Sequence, residues 1–199
     1  MKILIFTVLS TAFTLWAYVP YIRLVIADGT VKPNRASWFV WWVIDASMAW
    51  VLFSAHAWSA FLMFAAFTLG TTIVLFLSLK QGEGQFSKSD MFYIALAIGG
   101  IILWRVSDNE NISVIANMVA AVAGTIPTIK KSFLDPDSED APTWRYFWIG
   151  GLFNVLAISA WTFVDAAPTV IVWAAQWGIN VALILGRQRQ VRMKKVALS

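Results

Sequence analysis

The sequence predicts an all-α membrane protein of seven transmembrane helices, arranged as two parallel three-helix repeats joined by a linker helix, N-terminus outside and C-terminus inside. Three observations carry that expectation. The chain of 199 residues is 59% hydrophobic and 13% charged, against about 45–50% and about 25% in a soluble domain. Its apolar runs approach the ~20 residues that a span requires. Its Lys and Arg residues collect on alternate connections between those runs, as they do where cytoplasmic loops are positive.

The first run, residues 3–27, follows Lys2 and also fits a secretory signal peptide. A counterpart run later in the chain favours its retention as the first span. Further runs at 38–55, 58–79, 91–106, 112–132, 144–164 and 168–186 supply six more. Strand-like alternation is missing, and an isolated span must satisfy its backbone hydrogen bonds internally, so each is expected to be a helix. With the N-terminus outside, the inner side receives every Lys and Arg except Lys2 and Arg105. Removing any one inner helix would send later basic clusters to the wrong side.

Cysteine is absent, which excludes a disulfide framework, a thiolate nucleophile and a Cys-based metal site. No cofactor is expected. The net charge of +4 lies beside hydrophobic runs, so its expected partner is a bilayer with an anionic inner leaflet rather than nucleic acid. The segment "GRQRQVRMKKVALS", 186–199, is the densest case; a basic tail over 187–199 is expected to rest on that leaflet.

Two stretches share a layout. "AYVPYIRLVIADGTVKPNRASWFVWWVIDA" (17–46) and "GTIPTIKKSFLDPDSEDAPTWRYFWIGG" (124–151) each place a proline in an apolar run, then basic residues and a polar loop, then a run opening on tryptophans. A shift of 107 takes Pro20 to Pro127, 106 takes Trp38 to Trp144 and Trp42 to Trp148, and 108 takes Gly70 to Gly178 and Thr72 to Asn180. So nearly constant an offset indicates a duplicated unit: 1–79 and 107–186 as the repeats, 80–106 as loop and linker helix. Three is odd, so one connecting helix is needed to bring the second unit into parallel orientation.

This plan, with a proline near the inner end of the first helix of each half, resembles the PQ-loop and SWEET superfamily, and in particular an uncharacterised bacterial branch of it. The Pro-Gln dipeptide of that family stands here as Pro20-Tyr21 and Pro127-Thr128. The resemblance implies a compact membrane protein of the bacterial inner membrane, with a solute site between the halves and hinges at Pro20 and Pro127. A static kink is the other reading of those prolines, since proline removes one helical hydrogen bond wherever it stands.

Asp45, inside "WFVWWVIDASMAWVLF", is the sharpest single signal, because a carboxylate at that depth costs about 2.5–3.5 kcal/mol on translocon scales. It either binds a cationic or hydroxylated solute, carries a coupling proton, or makes a packing hydrogen bond. Trp41 lies four residues earlier on the same helical face. On the last span Trp173, Trp177 and Asn180 stand at i, i+4 and i+7 with Gln176 beside them, suited either to a small polar solute or to packing. The resemblance implies an asparagine on the third helix of each half; Asn180 matches, with Thr72 as its counterpart. Asn154 and Asn117 are weaker candidates of the same type. Trp38 and Trp144 suit anchoring in the headgroup layer.

The leading expectation is a transporter of a small polar solute, sugar- or metabolite-like, working by alternating access. A receptor or sorting protein, to which the KDEL receptor is similar in layout, is the alternative. Enzyme activity is not expected: His56 is the single histidine, which excludes a His-rich metal centre. Association into homo-oligomers is left open, since one chain holds both halves.

Overall fold

The computed structural model describes residues 1–28, 33, 35–82 and 84–197, without the side chains of Asp28, Ser37, Pro127, Ser138, Val196 and Ala197. Among the described residues there are seven α-helices and no strand: α1 (Lys2–Arg23), α2 (Arg35–Ser54), α3 (Trp58–Gln81), α4 (Lys88–Ser107), α5 (Glu110–Leu134), α6 (Ala141–Leu156) and α7 (Phe163–Ala197). A π-helical turn, Leu24–Asp28, prolongs α1, and a 3-10 turn, Pro136–Ser138, precedes α6. Lys32, expected on the α1–α2 connection, lies outside the described residues.

Five helices are long and apolar enough to cross a membrane, namely α1 with its π turn, α3, α4, α5 and α7. The apolar part of α2 is Trp38–Ser54. The 16 residues of α6 rise about 24 Å at ~1.5 Å each, less than a hydrocarbon core of about 30 Å.

The helices are turned inside out relative to a water-soluble bundle. On α1 the buried positions are Thr7, Ser10, Thr14, Ala17 and Tyr18, a polar and small stripe at helical spacing. The residues it exposes include Ile3, Leu4, Ile5, Val8, Leu15 and Trp16. On α3, Ser59, Thr71 and Ser78 are buried together with Met63, Phe64, Phe67 and Val74, while Leu62, Leu69, Ile73 and Phe76 face out. So large an exposed apolar surface belongs to an integral membrane protein, in which small residues let helices approach and polar side chains bond across them.

Local chemistry sets the helix ends. Ser87 and Asp90 form a reciprocal capping box at the start of α4. Asp108, in the left-handed region at φ 52°, closes it. Asn109 caps α5, and Asp140 accepts from the Thr143 amide to cap α6, with Pro142 in its first turn. Thr162 accepts from the Asp165 amide at 3.3 Å and opens α7. That last cap corrects the expected run 144–164: α6 stops at Leu156, and α7 begins at Phe163, before the expected 168. The sequence Thr-Phe-Val-Asp is itself a start signal, with the threonine as cap and an acid three residues on. At the other end α7 continues to Ala197, so the basic stretch expected as a tail is helical through its described part.

In the bundle α1 packs against α3 and α6, while α5 packs against α7 and α2. α2 lies along α3, α6 along α7, and α4 covers α5 and α2. The central core is aromatic: Phe147 of α6 sits 4.9 Å from Tyr18 of α1 and 5.6 Å from Phe67 of α3, centroid to centroid. Two glycines let α1 lie close against its neighbours. A Cβ on Gly70 would collide with the Tyr18 ring, and one on Gly150 would come within 2.9 Å of the Thr14 hydroxyl.

Candidate functional site

Two polar loci lie in this apolar frame. The first gathers around Asp45 at the middle of α2. Its side chain is 6% exposed, and Oδ2 has no hydrogen-bond partner. Thr71 of α3 is its side-chain hydrogen-bonding neighbour and Tyr18 of α1 its nearest ionisable one. The Thr71 hydroxyl also lies 2.8 Å from the Phe67 carbonyl. It has one proton to give, so it cannot serve the carbonyl and Asp45 together. Tyr18 donates to the Phe67 carbonyl at 3.2 Å and likewise leaves the carboxylate unserved. A carboxylate so weakly satisfied at this depth is an acceptor held ready for a donor.

The second locus lies between α6 and α7. The indole N–H groups of Trp148 and Trp173 and the Gln176 carbonyl Oε1 are all buried without a partner in the protein. Trp148 stacks on Trp173 at 6.2 Å with 23° between planes. Gly151 faces them: a Cβ there would stand 3.0 Å from Gln176 Oε1 and 3.1 Å from Trp173. Two unmet donors on stacked indoles and one unmet acceptor therefore lie along the α6–α7 seam, with Trp173 and Gln176 beside the bare backbone of Gly151.

The other expected site residues fall differently. Trp41 is half-buried, one turn before Asp45. Thr72 accepts from Trp42 Nε1 at 2.9 Å, donates to the Thr68 carbonyl at 2.6 Å and lines a groove on the outer surface. Asn180 spends both amide hydrogens on the carbonyls of Trp144 (3.0 Å) and Gln176 (2.9 Å), tying α7 to α6. Trp177 is 50% exposed and braces Trp148 from outside at 5.2 Å, so the expected stripe with Trp173 and Asn180 splits between interior and surface. Asn154 is fully buried; it donates to the Ser59 carbonyl at 2.9 Å and accepts from Thr169 at 2.9 Å, joining α6 to α3 and α7. Asn117 accepts from Ser47 and joins α5 to α2.

Pro20 stands inside α1, leaving the Trp16 carbonyl without its usual donor, and the π turn begins four residues later. α5 is helical through position 127, whose side chain lies outside the described residues. Trp38 donates to the Tyr21 hydroxyl at 3.2 Å and Trp144 to Glu139 at 3.1 Å, and both pack on the central core.

Sequence reasoning missed Ser10 and Thr14 of α1, Trp148 and Asp165. Ser10 and Thr14 are buried with unpartnered hydroxyls, and Asp165 is 4% exposed with an unpartnered Oδ1. The spacing of Thr7, Ser10, Thr14 and Tyr18 within an apolar run was a usable signal of an inward polar stripe.

No family model, no curated protein and no solved structure matches this chain.

Proposed function

We propose that this chain is a transporter of a small polar solute, crossing the membrane seven times and working by alternating access between two three-helix halves. The observation that carries the reading is the set of buried, unpartnered polar atoms in Asp45, Trp148, Trp173 and Gln176, held in helices whose outer faces are apolar. A purely structural interior has no use for donors and acceptors left open, because each costs about 1–3 kcal/mol when it is unmet.

The packing pattern supports two equivalent halves. Exchanging α1–α3 with α5–α7 turns the α1–α6 contact into the α5–α2 contact and the α1–α3 contact into α5–α7. The short α6 crosses the bilayer by local thinning in this reading, with α4 as linker. The basic residues favour an outside N-terminus and a cytoplasmic C-terminus, in a bacterial inner membrane. Phe147, Tyr18 and Phe67 pack together in the core, and Tyr21, Trp38, Glu139 and Trp144 gather at the end that this reading makes cytoplasmic. That is an arrangement closed to the cytoplasm, which opens by movement about Pro20 and Pro127.

The chemistry favours a neutral or cationic solute rich in hydroxyl, amine or amide groups. The buried charged side chains among the described residues are the acids Asp45 and Asp165, and no buried cation is there to receive an anion.

The test is a thermal-stabilisation screen with sugars, amino acids, nucleosides and short peptides, followed by flux of each hit in proteoliposomes. A bound solute must raise the apparent stability. A small solute that stabilises the wild type, crosses the liposome membrane and loses both effects in Asp45→Asn is the expected result. Stabilisation by peptides alone, without flux, would replace the transporter with a receptor.

A further inference from the structure

On the outer side of the bundle, the surface between α2 and α3 carries a groove of about 440 Å³ whose lining reaches Thr72. It is lined by the small side chains of Ala46, Ala49, Ala65 and Thr68 and flanked by the rings of Trp50 and Phe61. On this protein such a surface faces acyl chains. Trp50 has a second neighbour: the guanidinium of Arg105, in the last turn of α4, lies 5.6 Å from its ring centre and 4.8 Å from that of Trp104. Arg105 is exposed and has no carboxylate partner among the described residues, where the ion pair is Lys131–Glu139.

We infer that this groove binds one phospholipid of the leaflet beside the α4–α5 turn, with an acyl chain between α2 and α3 and its phosphate on Arg105. Each part has a physical reason. An open groove floored by alanines lets a methylene chain lie in dispersion contact along its length. A guanidinium resting over an indole presents its N–H fork at the ring edge, in the geometry that grips phosphate oxygens in pairs. Small-residue faces also join helices of two chains, but a two-fold contact on this face would bring two copies of the same unpaired cation together. Charge therefore favours the lipid over a second copy.

The test is native mass spectrometry of the full chain in mild detergent, with phosphatidylglycerol as probe. One lipid per chain is expected on the wild type, unaffected by excess inorganic phosphate. Arg105→Gln, an exposed change, lowers the retained fraction about fivefold, the effect of one basic residue at a membrane surface. Ala49→Trp and, as a second filling variant, Ala65→Phe abolish retention while helical circular dichroism is kept. Equal retention by wild type and Arg105→Gln overturns the proposal. So does a wild-type dimer in light scattering that Ala49→Trp converts to monomer, which would make the face an interface between copies.

Discussion

The ring of Tyr18 lies against the bare backbone of Gly70, in the space where a side chain on α3 would stand. That contact draws α1 onto α3 and sets the Tyr18 hydroxyl at the Phe67 carbonyl, beside Asp45. The first polar locus thus depends on a residue with no functional group of its own.

Gly70→Ala is expected to lower the melting temperature in micelles, since overpacking costs about 1–3 kcal/mol. Adding Tyr18→Ala to the same chain removes the clash and recovers part of the loss. An unchanged melt for Gly70→Ala would mean that α1 and α3 do not meet here.

Trp148→Phe keeps the ring that stacks on Trp173 but deletes the unpartnered N–H. Solute affinity, read by titrated thermal shift, falls about fivefold for the loss of one hydrogen bond of ~1 kcal/mol, while the solute-free melt is unchanged. Trp177→Phe, on the exposed side, serves as the control that leaves affinity intact. Equal effects from both would remove the indole donor from the site.

Asn154→Ala leaves the Ser59 carbonyl and the Thr169 hydroxyl without their partner. Its cost is about 1 kcal/mol, the scale of hydrogen bonds between membrane helices. The loss appears as a lower melt with solute affinity retained, because Asn154 spends its amide on packing. Lost affinity at full stability would instead place it in the solute site.

Pro20→Ala restores a donor to the Trp16 carbonyl and stiffens α1. Binding is expected to persist while flux in proteoliposomes slows, a split between affinity and rate that belongs to a hinge. Equal flux would reduce Pro20 to a static kink.

The 144–164 run shows where local reading fails. Hydropathy sums residues without regard to direction, and Ala157 and Ile158 are as apolar as the helix before them, so the run passes straight over the turn. The capping threonine Thr162 was visible but lay inside what hydropathy had already assigned to a span, with Asp165 just past its end. Asp165 was overlooked for the same reason, placed in a loop instead of on a buried helical turn. The Trp173, Trp177 and Asn180 stripe failed differently: those spacings do put residues near one another on a helix. Which side of that stripe meets α6 is a property of α6 as well.

The amino-acid sequence by itself determined the all-α class and most of the apolar helices, because hydropathy acts over a few residues. It also singled out Asp45, since a lone acid in an apolar run is conspicuous in one dimension. Only the tertiary structure decided that Thr71 and Tyr18 stand beside that acid, that Trp148 and Gln176 leave their polar atoms unmet, and that Asn180 and Asn154 meet theirs. Whether a buried polar atom is satisfied depends on which atoms of distant helices arrive within about 3 Å of it, and small residues such as Gly70, Gly150 and Gly151 set that approach.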